Sequence, residues 1–318
     1  MPHLCLKVDV DTLRGTLEGV PRLIELFRRE NVGATFLFSM GPDHTGRALK
    51  RIFRPGFLAK VRRTSVRSNY GLKTLLYGTL LPGPDIGKRG ADVMRATRDA
   101  GFECGIHCWD HVVWQDGVMH KPDAWARRQM QRAHERYEKV FGEPALTCGA
   151  AGWQMSREAL REQGRLGYRY ATDSRVDGPQ RDVGPFWPLV RGEAMPVPQV
   201  PTTLPTLDEL LGVDDCTAEN VHLRLLQATV APRDHVFTLH AELEGLALFP
   251  VMERLLTGWR DQGYTLCTTE LYFSSLDLAT LPFCEVRWGS VAGRSGDLFM
   301  QGPRYLASAS ALSGAPAP

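Results

Sequence analysis

Leu4-Cys5-Leu6-Lys7-Val8-Asp9-Val10-Asp11 is the stretch from which the rest of the chain is read. Apolar residues run into two carboxylates, and in a strand the side chains at 9 and 11 point to one face. Two like charges buried on one side of a strand are costly, so a metal or a shared proton is expected there. The plainer alternative is that one Asp caps the following helix or binds loop backbone.

Outward from this run, β-type patterns recur at 34–40, 103–109, 145–150, 168–173, 235–241 and 264–268, making seven with 3–10. Between them, Leu17 to Glu30, Gly87 to Ala100, Pro122 to Phe141, Ser156 to Leu166, Thr217 to Val230 and Ala247 to Gln262 carry helical spacing. Ser156 followed by Glu158 reads as an N-cap. Strands alternating with helices predict an α/β fold with a mainly parallel sheet, and seven strands are enough for a barrel. The 318 residues fit one such domain. Residues 178–205 hold seven prolines and read as an extended excursion at the barrel rim. Residues 274–302 show no periodicity, and the Ala-, Ser-, Gly- and Pro-rich tail 303–318 is expected to be disordered, which leaves 1–302 as the domain.

His107-Cys108-Trp109-Asp110-His111 follows the third strand, and its i, i+4 spacing predicts two imidazoles on one face of a helical turn. Two surface histidines would give the same spacing by chance. Position favours the chemical reading, because the Asp pair and the His pair both end predicted parallel strands, where α/β barrels gather their active sites. Phe237-Thr238-Leu239-His240-Ala241-Glu242 ends a later strand in a further histidine. One carboxylate and two imidazoles make three ligands with open positions, the arrangement of a catalytic metal. An unligated Asp and an unligated His then remain as base and acid.

Lys plus Arg total 38 against 36 Asp plus Glu, so the formal charge of +2 points to no nucleic-acid partner. The seven cysteines are odd in number and free of CxxC, which argues against a disulfide framework and for a reducing compartment. No export signal opens the sequence, and no run of about 18 uncharged apolar residues predicts a spanning helix. Charge is unevenly spread: Thr45 to Leu81 carries nine basic residues and no acidic one, leaving 29 basic against 36 acidic elsewhere. Apolar residues alternate with these charges, so the insertion at 45–84 reads as a basic amphipathic helical segment between strands two and three. Arg51, Arg54, Phe57, Lys60, Arg62, Arg63 and Tyr70 are its expected contacts with an anionic membrane face or a lipid phosphate; a solvated basic helix is the alternative.

The Asp pair, HxxxH and late Leu-His resemble the motifs of the NodB-homology polysaccharide deacetylases, a carbohydrate esterase family 4-like superfamily. Longer stretches, KVDVDTLRGTLEGVPRLIEL, FSMGPDHTGRALKRIFRPGFLAKV, GIHCWDHVVWQ, AAGWQ, VPTTLPTLDELLG, TLHAELEG and VAGR, are similar to the 4-deoxy-4-formamido-L-arabinose-phosphoundecaprenol deformylases of polymyxin resistance. The likeness runs in order from about residue 4 to 302. It implies a distorted (β/α)7 barrel of the NodB type that hydrolyses the N-formyl group of an undecaprenyl phosphate-linked amino sugar used to modify lipid A. It assigns Asp11, His107 and His111 to one divalent metal (zinc or manganese, with cobalt and iron as alternatives), Asp9 to the general base and His240 to the general acid. It implies a peripheral protein on the cytoplasmic face of the bacterial inner membrane.

Two departures from the superfamily pattern matter. The carboxylates are spaced DxD rather than adjacent, and the third motif, usually Arg-x-Pro, reads Ala150-Ala151-Gly152-Trp153. The arginine that orients the base in the wider family is thus missing there, and Arg175, two residues after Asp173, is the expected replacement unless it only pairs with Asp173. Backbone near Gly152 is the expected oxyanion donor, Trp153 the wall that excludes an acetyl methyl, and Glu242 a supporting carboxylate. Two rival readings stand beside this one: an N-deacetylase of another amino sugar or polysaccharide, and a non-catalytic metal or lipid-phosphate binding protein.

Overall fold

The computed structural model describes residues 1–48, 74–176, 183–294 and 296–305. Its strands are β1 (His3–Val10), β2 (Thr35–Ser39), β3 (Glu103–Cys108), β4 (Thr147–Cys148), β5 (Tyr170–Ala171), the hairpin β6 (Trp187–Val190) and β7 (Glu193–Ala194), β8 (His235–His240), β9 (Thr265–Cys267) and the hairpin β10 (Phe283–Gly289) and β11 (Leu298–Arg304). The expected parallel sheet is present, in the order β5-β4-β3-β2-β1-β8, with β9 paired to the first residues of β1.

Alternation along β1 explains the layering. Even-numbered Leu4, Leu6, Val8 and Val10 enter the main core with Leu23 and Phe27 of the helix Val20–Arg29 and Leu255 and Trp259 of the helix Phe249–Asp261. Odd-numbered residues face the lumen: Cys5 packs with Tyr170, Val200, Val236 and Cys267 at its floor, and Lys7, Asp9 and Asp11 follow on the same side. Register carries the layers onto β8, where Cys5 lies beside Val236, Lys7 beside Thr238 and Asp9 beside His240.

The parallel strands leave a gap between β5 and β8, and the stretch 198–204 fills it. Val200 N donates to Ala171 O (2.8 Å) on one side and Thr203 N donates to Val236 O (3.0 Å) on the other. The proline-rich region is therefore more than a rim excursion, since it contributes β6, β7 and the segment that closes the half-barrel. Its prolines sit where only a carbonyl is needed: Pro188 O accepts from Met195 N and Pro198 O from Ala171 N. Residues 177–182 lie outside the described residues.

A second sheet, in the order β11-β10-β6-β7, comes largely from stretches where no strand was expected. Val190, Val286 and Phe299 from its inner face pack on Trp114, Met155 and Leu160. The last strand continues through Arg304, two residues into the segment read as tail; 306–318 lie outside the described residues. The turn between β10 and β11 delivers Arg294, which binds Glu209 (2.6 Å) and Asp208 (2.8 Å) of the helix Leu207–Leu210. Arg175 holds the same Glu209 through both guanidinium nitrogens (2.7 and 3.0 Å). Burial alone would raise the Glu209 carboxyl, but the two arginines take it down from the ordinary 4.5 to about 2.

Short π-helical turns follow β1 (Gly15–Gly19) and β8 (Leu243–Ala247) and pack on each other. Backbone meets backbone here: a Cβ on Gly19 would stand 2.0 Å from Ala241 O. Gly19→Ala should therefore cost about 1–3 kcal/mol, as overpacking does, while Gly184→Ala, in open space, stays within about 0.5 kcal/mol; thermal unfolding measures both. Glu209→Gln strands the buried Arg175 and leaves Arg294 paired to Asp208, and should cost about 3–5 kcal/mol near neutrality. Because the folded carboxyl lies at about 2, below its ordinary 4.5, its contribution is complete above 4.5 and lost as pH falls toward 2. The difference in melting temperature between wild type and variant should narrow across that window.

Candidate active site

Asp11 stands just beyond β1, His107 lies within β3, and His111 opens the helix His111–Gly117. The histidine pair therefore straddles a strand end and a helix start instead of sharing one helical turn, with Asp110 as N-cap accepting from Val113 N (3.1 Å). The ligand atoms still converge. His107 Nε2 is 3.2 Å from Asp11 Oδ1, His111 Nε2 is 3.3 Å from Asp11 Oδ2, and the three ligating atoms lie within 4.8 Å of one another. His107 Nδ1 donates to Gly149 O (2.7 Å), which turns Nε2 toward Asp11. Asp11 Oδ1 is sealed from solvent without a hydrogen-bond partner among the described residues. That orphaned oxygen and the two-imidazole, one-carboxylate donor set fit a divalent cation. Burial would raise the Asp11 carboxyl, but His111 and His107 hold it well below the usual range.

Asp9 and His240 flank this cluster from adjacent strands. Asp9 Oδ2 accepts from Lys7 Nζ (2.9 Å), while Oδ1 has no hydrogen-bond partner among the described residues and lies 3.7 Å from His107 Nδ1. His240 N donates to Glu244 Oε2 (2.7 Å), and its Nδ1 is buried without a hydrogen-bond partner among the described residues. Burial pushes the His240 imidazole down, with the Asp208 and Asp11 carboxylates opposing, and burial pushes the Glu244 carboxyl up to about 8. Glu242 ties the two loops together, its Oε1 accepting from Asp11 N (2.9 Å), Thr12 N (2.7 Å) and Thr12 Oγ1 (2.7 Å).

Gly152 and Trp153 form a tight turn with φ of 62° and 54°. Asp173 fixes the start of this turn, accepting from Ala150 N (2.8 Å), Gln163 Nε2 (2.6 Å) and Gln199 Nε2 (3.0 Å). Asp173 thus binds amides and not Arg175. Arg175 does not take the expected place beside Asp9 either, because Glu209 holds its guanidinium over the Trp153 ring, 4.6 Å from the centroid. Trp153 is 1% exposed, with Arg294 at 4.8 Å and the Lys7 ammonium at 5.1 Å, so it lies beneath the site. Lys7, Asp208, Glu209 and Arg294 were not among the expected site residues. Lys7 shares the odd parity of Asp9 and Asp11, and the other three lie in the distinctive stretches VPTTLPTLDELLG and VAGR. Arg51, Arg54, Phe57, Lys60, Arg62, Arg63 and Tyr70 lie outside the described residues, as does 49–73 as a whole.

No protein-family model matches the chain. It is 36% identical over 254 residues, 79% of each protein, to the "Probable 4-deoxy-4-formamido-L-arabinose-phosphoundecaprenol deformylase ArnD" of Shewanella sediminis (strain HAW-EB3). It is 26% identical over 284 residues, 89% of this chain and 96% of the relative, to the protein of the same name from Wigglesworthia glossinidia brevipalpis. In three dimensions it is similar to a Mycobacterium smegmatis chain named as a polysaccharide deacetylase, with a TM-score of 0.59 at 13% identity, covering 90% of this chain and 95% of that one. At that identity the likeness speaks for the fold, and the sequence relatives speak for the family. This chain belongs to the 4-deoxy-4-formamido-L-arabinose-phosphoundecaprenol deformylases, amide hydrolases built on the polysaccharide-deacetylase fold.

Proposed function

We propose that this chain hydrolyses the N-formyl group of undecaprenyl phosphate-linked 4-deoxy-4-formamido-L-arabinose, giving the 4-amino sugar lipid that modifies lipid A. The observation that carries this reading is the placement of Asp9 and His240 as register partners on adjacent strands beside the Asp11, His107 and His111 cluster. Those three residues would hold one divalent ion, zinc or manganese, with cobalt and iron suited to the same donors. When bound, the ion supplies Lewis acidity to the formyl carbonyl and makes a water more acidic. Asp9 Oδ1 takes the proton of the attacking water, because Oδ2 is already engaged by Lys7. His240 gives a proton to the departing nitrogen, since an amide anion cannot leave; burial makes its protonated form a strong donor. Backbone N–H groups at the Gly152 turn steady the oxyanion, and Asp173 holds the start of that turn. Trp153 shapes the acyl side from beneath. Excluding one methyl is worth about 10 to 200-fold, so discrimination against acetyl is finite.

The substrate's lipid directs the chain to a membrane face. The basic segment 45–84, with Arg51, Arg54, Lys60, Arg62, Arg63, Phe57 and Tyr70, is proposed to lie on the anionic cytoplasmic surface of the inner membrane. Leu80 and Leu81, near its end, are 82% and 38% exposed. Among the described residues no helix is long and apolar enough to cross a membrane.

Mass spectrometry after incubation with the formamido lipid should show loss of a formyl mass, with the acetamido analogue largely unchanged. Equal turnover of both would select the rival deacetylase. Asp9→Asn should lower turnover by about a hundredfold or more with metal content unchanged, and retained activity would place the base elsewhere. In vesicle flotation the protein should rise with anionic but not neutral vesicles, and a variant with the basic residues of 45–84 changed to Ser should stay at the bottom. Identical behaviour of the two proteins would remove the membrane proposal.

A further inference from the structure

We infer that Lys7, a residue of the strand that bears the base, is the positioning residue for Asp9; this rests on the reading of Asp9 as the base. Lys7 is 0% exposed, and its ammonium lies 2.9 Å from Asp9 Oδ2. The barrel interior is cut to its shape. At Gly149 a Cβ would stand 2.9 Å from Lys7 Cε and 2.6 Å from Leu37 Cδ1, so only a residue without a side chain lets the lysine stem pass. The Trp153 ring supports the ammonium at 5.1 Å. Gly149 also offers its carbonyl to His107 Nδ1 (2.7 Å), so the residue that admits the lysine orients a metal ligand as well.

The consequence is an asymmetric carboxylate. One oxygen of Asp9 is fixed by Lys7, and the other, Oδ1, is the one on the side of His107, at 3.7 Å, and is left to take a proton. Arg175 does not take this place, because Glu209 holds both of its terminal nitrogens and fixes its guanidinium over the Trp153 ring. Lys7 acts on the base by holding Asp9, and the superfamily's missing third-motif arginine is replaced from β1.

The test uses the full chain loaded with metal and the formamido lipid. Lys7→Met and Lys7→Gln should each lower kcat by about a hundredfold while KM stays within about threefold, with metal content equal to wild type. Lys7→Arg should recover kcat to within about tenfold of wild type, which a merely space-filling role does not predict. A folded, metal-loaded Lys7→Met or Lys7→Gln with wild-type kcat overturns the inference; if Lys7→Met does not fold, Lys7→Gln carries the decision. Unfolding gives a readout independent of activity: the double variant Lys7→Met/Asp9→Asn should melt above either single variant, since it leaves neither charge unpaired. Additive losses would overturn the pairing. If Asp9→Asn keeps full activity, the base assignment fails whatever Lys7 does.

Discussion

The Lys7 and Asp9 ion pair lies inside the barrel, with Asp11 next along the same face of β1. Removing these charges from water costs several kcal/mol per ion, and attraction repays it only when each group finds its partners. One ammonium does not balance two carboxylates. Asp9 Oδ2 is satisfied by Lys7, but Asp9 Oδ1 and Asp11 Oδ1 lack hydrogen bonds among the described residues. The remaining negative charge draws the His107 and His111 imidazoles inward, and burial in one lumen makes the five groups interdependent. Removing one leaves another stranded.

The second sheet follows from the weakness of the third-motif turn. Ala150, Ala151 and Gly152 bring almost no side chain, and a turn with two successive positive φ values does not hold itself. It is fastened from three sides: Asp173 accepts Ala150 N, Trp153 Nε1 donates to Thr202 Oγ1 (3.1 Å) of the closing segment, and Leu298 and Met300 of β11 pack on the Trp153 ring. Arg294 then links the turn of the second sheet to Glu209, just beyond that segment. Barrel closure, second sheet and turn therefore form one mechanical unit, with Trp153 at its centre.

Much of this was legible, and the failures have physical causes. The period-two rule placed Asp9 and Asp11 together, and the same rule applied two residues earlier would have added Lys7; an isolated lysine in an apolar run is easily read as a strand-end charge. The i, i+4 histidine spacing suggested a helix, yet the ligands converge because β3 ends between them. Prolines hid the closing segment, since Pro198 and Pro201 break the residue pattern of a strand although the residues between and after them still donate to both neighbours. β10 does carry a period-two signal, Cys284, Val286 and Trp288 alternating with Glu285 and Arg287, but it is short and stands alone, and β11 holds Gly302 and Pro303, which mask its strand character. Proximity in sequence misplaced Arg175, because a guanidinium reaches past its neighbours to the carboxylate that can bind both of its nitrogens.

Amide hydrolysis needs a proton taken on one side of the carbonyl carbon and another given on the opposite side. The two residues proposed for these roles are anchored in strands: Asp9 and His240 are register partners of adjacent parallel strands, so their separation is set by the sheet spacing of about 4.8 Å and by rotamers packed in the lumen. The groups that most depend on loops, Asp11 and His111, are steadied by Glu242 on the Asp11 and Thr12 amides and by the Asp110 cap. The loops at the strand ends lie outside this ladder, so sequence change in them leaves the β1–β8 register intact. Such a division lets one strand framework of the polysaccharide-deacetylase fold carry different sites, because the turns around it vary while the ladder stays the same.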